Sequence, residues 1–134
     1  MKKKRNFEID EYAHLSINVD FSKVVYSDLD ALTLAVEKWE EISSFHKLHP
    51  NAPPVFFNGT SSCALCYLYY DSANCNMCCK GCPVHKKTRK QYCGRTPYFD
   101  YYTTYGSKPN RALEKHALSE VRFLTRLLVK EMNK

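Results

Sequence analysis

All seven cysteines of this 134-residue chain fall between positions 63 and 93, in the order Cys63-x2-Cys66, Cys75-x2-Cys78, Cys79-x2-Cys82 and Cys93. This clustering limits the fold more than any other feature. A CxxC turn aims two sulfurs at one point, and two such turns complete the four-thiolate tetrahedron that zinc prefers. Lone buried cysteines are inert small hydrophobes, but arrays of CxxC pairs more often hold metal. Disulfides are not expected. The basic start, MKKKRNFEIDEY, has no apolar run behind it, so no secretory signal is read there. No stretch reaches the roughly 20 apolar residues of a membrane span. The expected location is therefore cytoplasmic and reducing, where lasting disulfides are rare, and seven thiols cannot all pair.

Cys63-Ala-Leu-Cys66 supplies one half of a zinc site and Cys79-Lys-Gly-Cys82 the other, the glycine easing the tight turn and Pro83 ending it. Cys93, in QYCGRTP, is the reserve ligand, and His85 a further candidate. Cys75 and Cys78 either pack or join a second site, but one ion is expected. A structural zinc supplies order that a small, loop-rich segment lacks. The alternative cofactor is an iron–sulfur cluster. Cys75-x2-Cys78-x3-Cys82-Pro83 follows part of the bacterial ferredoxin run, but Ser72 stands where its first cysteine belongs. A thioredoxin-like redox role ranks lower, since no βαβ pattern surrounds any CxxC.

Two amphipathic helices bracket this centre. Ser27 and Asp30 form a capping box, and Leu29, Leu32, Val36, Trp39, Ile42 and Phe45 recur at helical spacing to about Leu48, before the prolines of HPNAPPV. The last segment reads as a helix over 109–133, with Ser107 as cap and Pro109 in the first turn. Its buried stripe is Leu113, Ala117, Val121, Leu124, Leu127 and Leu128. In HLSINVDFS, alternation of Leu15, Ile17, Val19 and Phe21 with polar residues predicts a short strand, with the Tyr-rich 98–105 segment as its candidate partner. The expected fold is a small α-rich α+β single domain over 1–134. Residues 1–12 form a mobile arm, and the helices of 28–48 and 109–133 pack around a zinc-knuckle module over 63–95, with minor strands.

No catalytic set emerges. His116 is followed by Ala and Leu rather than by the HxE of a zinc deaminase, and neither a Gly-rich phosphate loop nor GxSxG occurs. His46 and His49 read more readily as a solvated or capping pair than as metal ligands. Enzymatic function is not favoured, and a nuclease is the least favoured reading. Between Ser72 and Phe99 there is no acidic residue, while Lys80, Lys86, Lys87, Arg89, Lys90 and Arg95 all fall there. With the formal charge of +6, this makes a basic face, interleaved with Tyr92, Tyr98, Tyr101 and Tyr102. Phosphates can meet its cations and bases can stack on its tyrosines. The competing reading is a solvated loop beside core tyrosines.

CALC (63–66), CKGCPV (79–84) and YCGRTPY (92–98), with Trp39 in KWEEI upstream, resemble a motif of small uncharacterised bacteriophage and prophage proteins. The resemblance implies a viral origin and a metal held by Cys63, Cys66, Cys79, Cys82 and Cys93. It implies no activity. Two partner classes follow: nucleic acid or a nucleoprotein met by the basic face, and a bacterial host or defence protein on which the chain docks as an inhibitor, such as an anti-CRISPR. No membrane partner is expected.

Overall fold

In a computed structural model of the protein, residues 5–56, 63–69, 82–88, 97, 100–101 and 111–134 are described. The element order is β1 (Phe7–Ile9), β2 (Leu15–Ile17), α1 (Phe21–Val24), α2 (Asp28–Leu48), α3 (Ala64–Tyr69), α4 (Pro83–Thr88) and α5 (Arg111–Met132). The protein is thus helix-rich with a small two-stranded sheet.

The central helix, α2, starts where its cap does. Ser27 accepts from the Asp30 N–H at 3.2 Å. Asp30 reaches back to accept from the Tyr26 N–H at 3.0 Å. Two otherwise orphaned donors are thereby satisfied reciprocally. Asp28 and Asp30 in the first turn also complement the helix dipole. The helix ends as the His49 N–H bonds the Phe45 carbonyl at 2.9 Å. Pro50 then stands where the helix cannot continue.

Burial on α2 is broader than one stripe. Ala31, Leu32, Leu34, Ala35, Val36, Trp39, Ile42 and Phe45 are all buried, together with Lys38 and His46. A helix apolar around most of its girth is a core helix. Leu29, expected on the apolar face, is instead exposed. The α5 helix packs along α2 and buries Leu113, Ala117 and Leu124, with Val121, Leu127 and Leu128 packed against the same core. Full burial of one such aliphatic side chain contributes about 1.5–3 kcal/mol. Ser107 and Pro109 lie outside the described residues.

The strand at Leu15–Ile17 does form, but its partner is β1. The pairing is antiparallel, with Phe7 opposite Ile17 and Ile9 opposite Leu15. Residues 7–9, expected in a polar arm, therefore belong to the sheet, and Phe7 is one of the most deeply buried side chains. The local reason lies in the turn. Asp10 accepts from the N–H groups of Tyr12 at 2.8 Å and His14 at 3.0 Å, which closes the hairpin with Ala13 at φ 62°. Phe56 adds a single bridge to His14 on the other side of β2. Of the Tyr-rich segment expected to pair here, Asp100 and Tyr101 are helical, and 98–99 and 102–105 lie outside the described residues.

Candidate metal centre and basic face

Cys63 stands immediately before α3, and its carbonyl accepts from the Tyr67 N–H at 3.0 Å. Cys82 stands likewise before α4, its carbonyl accepting from the Lys86 N–H at 2.9 Å, with Pro83 at the first helical position. Cys63 and Cys82 therefore each stand directly before a short helix. Cys63, Cys66 and Cys82 are not engaged in disulfides.

The Cys63 thiol is held well below its ordinary value of 9.0. The Cys66 thiol donates to it, the Lys38 ammonium lies near, and the backbone N–H groups of Cys66 and Leu65 point at the sulfur; burial opposes these effects. Amides two and three residues on, aimed at the first sulfur, make the pair suited to a thiolate in the Cys63 position. Such a thiolate can bind a metal or act as a nucleophile.

Lys38 was not legible as part of this site from its residue type. It is 2% exposed, and its ammonium lies 5.6 Å from the Trp39 ring centroid. The signal available was position: Lys38 sits four residues from both Leu34 and Ile42, on the buried side of α2. The α3 helix packs on α2, which is what brings Cys63 into the field of Lys38. Tyr69, at the end of α3, donates to the Asp28 carboxylate in the first turn of α2. Burial, that bond and the negative charge of Asp28 hold its phenol proton on well above the ordinary value.

Among the described residues, no three His, Cys, Asp or Glu side chains converge closely enough to hold one ion. Cys63 and Cys66 are brought together, and Cys82 adds no third donor to them. Cys79 and Cys93, the other two expected ligands, lie outside the described residues, as do Cys75 and Cys78. The side chain of His85 does too.

The basic face divides in the same way. Lys86 and Lys87 are exposed on α4. Lys80, Arg89, Lys90, Tyr92 and Arg95 lie outside the described residues. Tyr101, expected among the stacking tyrosines, is a core residue at 2% exposure. Its ring meets Trp39 edge-on at 5.2 Å.

The Tyr101 hydroxyl accepts from the Val55 N–H at 2.7 Å and lies 2.8 Å from Nε2 of His46. The hydroxyl oxygen has a second lone pair besides the one that accepts from Val55, so the ring tautomer of His46 sets which of the two groups donates in this bond. Burial, and then the neighbouring His49, push His46 down to about 4, so it is neutral near pH 7. Burial likewise pushes the Tyr101 phenol above its ordinary value. His46 is thus a structural core histidine, and His49 is the exposed residue that ends α2.

Among the described residues, no helix is long and apolar enough to cross a membrane. No family model, curated protein or solved structure matches the chain.

Proposed function

We propose that this chain is a small zinc-stapled binding protein, of viral origin as its motif resemblance implies, which grips nucleic acid or a nucleoprotein through the basic face around α4. The observation that carries the metal half of this reading is the Cys63–Cys66 pair, with backbone amides and Lys38 stabilising the Cys63 sulfur. The donor set fits zinc chemistry as half of a site: two thiolates on one tight turn, needing two more from Cys79, Cys82 and Cys93. Zinc there would close the loop between α3 and α4 as a structural staple. An iron–sulfur cluster is the alternative occupant of the same sulfurs.

The binding half is supported by Lys86 and Lys87, both exposed on the helix that directly follows Cys82. Lys80, Arg89, Lys90, Arg95 and Tyr92 extend the same stretch of sequence. A second reading, an inhibitor docking on a bacterial host or defence protein, draws on Leu48. That side chain is 75% exposed and borders a shallow depression with Phe45, His49, Pro50 and Ala52.

Elemental analysis with an absorption spectrum, on protein purified without added metal, tests the metal assignment. One zinc per chain and a colourless solution are expected, and Cys63→Ser is expected to lose zinc and thermal stability together. A Cys63→Ser variant that keeps full metal content would overturn the assignment. Affinity for nucleic acid that falls steeply with salt, as counterion release from phosphates requires, separates the two partner classes when a protein-docking inhibitor shows no such affinity.

A further inference from the structure

The end of α5 completes a lysine-lined groove that the sequence does not place near the cysteine module. Lys86 and Lys87 on α4, Lys130 in the last turn of α5 and Lys134 just past its end line one concavity of about 180 Å³, together with Leu127 and with Glu131 as its one carboxylate. All four lysines are exposed. Glu131 pairs with Lys134 at 3.0 Å, so the groove carries four cations against one anion, a net excess of three positive charges.

Lysines in the last turn of a helix have a local use, since they offset the negative end of the helix dipole. That use explains Lys130, and the ion pair with Glu131 accounts for Lys134. Neither explains why both line the same groove as Lys86 and Lys87, because like charges brought together cost energy until an anion fills the space between them.

We propose that this groove binds the phosphate backbone of a single nucleic-acid strand, with Lys130 and Lys134 contributing contacts equal in kind to those of Lys86 and Lys87. The inference rests on the basic-face reading above and adds the end of α5 to it. Lysine is suited to the task as a compact, mobile point charge that tracks a phosphate chain without reading its bases.

The test is fluorescence anisotropy of a labelled oligothymidylate across a salt series. It uses the full chain, Lys130→Ala/Lys134→Ala, and Lys86→Ala/Lys87→Ala, with circular dichroism to check helicity. Each single-strand phosphate contact contributes about 0.7 to the slope of log affinity against log salt. The Lys130/Lys134 variant is therefore expected to reduce that slope by about 1.4 and to bind on the order of tenfold more weakly at low salt. Binding by the full chain that is lost only in the Lys86/Lys87 variant overturns the groove and leaves the basic face standing. No binding by the full chain at low salt overturns both.

Discussion

The phenol of Tyr101 bonds His46 at 2.8 Å and the Val55 amide at 2.7 Å, so one hydroxyl ties the end of α2 and the segment after it to a residue distant in sequence from both. This bridge fixes the loop after α2 against the core and gives a buried histidine its polar partner. Its removal is a sharp test of the fold. Tyr101→Phe leaves the ring packed on Trp39 but strips two buried polar groups of their partner. Each costs about 1–3 kcal/mol when left unmet, so a loss of about 2–6 kcal/mol is expected by urea unfolding. A loss below half of the lower figure would show that the bridge is not formed.

His46 makes stability depend on pH. The folded ring stays neutral down to about 4, while the unfolded ring takes up a proton near 6.5. The unfolded state therefore binds more protons between these values, and stability falls as pH drops from about 6.5 to about 4, then levels. The full effect is about 3 kcal/mol. Cys63, whose folded value is depressed, slopes the same way, since its contribution is present above its ordinary value and is lost as pH falls through the folded one. The histidine step is therefore read as the difference between the parent and His46→Gln, in which it should vanish. An equal slope in both proteins would count against it.

The Cys63 thiol should respond to its neighbours in a fixed order. In metal-stripped protein, Cys66→Ala removes the largest stabilising effect on the thiolate and Lys38→Met a smaller one. Both variants should titrate at higher pH than the parent, with Cys66→Ala shifted further, as followed by ultraviolet thiolate absorbance. A Lys38→Met variant that titrates with the parent would show that the ammonium does not reach the sulfur.

At the start of α2, Ser27→Ala removes the side chain that accepts from Asp30. The expected loss is about 1 kcal/mol, the usual value of such a cap, measured by chemical unfolding. Ser27→Gly should cost only a few tenths. Equal losses in the two variants would point to a cause other than the cap.

Much of this was legible in the sequence. The span of α2, its cap at Ser27 and the stripe of α5 follow from spacings within a few residues, because helical periodicity and capping are decided by local hydrogen bonds and side-chain direction. The Cys63–Cys66 pairing was equally local. Other features depend on which faces meet. The partner of β2 proved to be Phe7–Ile9, because the Asp10 turn closes a hairpin over a short loop, which costs less entropy than bringing in a distant segment. Tyr101 went into the core rather than onto a surface, since only there can its ring meet Trp39 while its hydroxyl finds two partners.

The cysteine spacing by itself marked where metal chemistry would be sought, and helical periodicity marked two long helices. Tertiary structure alone decided that a lysine, Lys38, would stand beside Cys63 and that Lys130 and Lys134 would line the same groove as Lys86 and Lys87. Charges along a sequence say nothing about their separation in space. Electrostatic interaction depends on that separation and on burial, which the packing of α3 on α2 sets for Lys38 and Cys63, and the shared groove of α4 and the end of α5 sets for the four lysines.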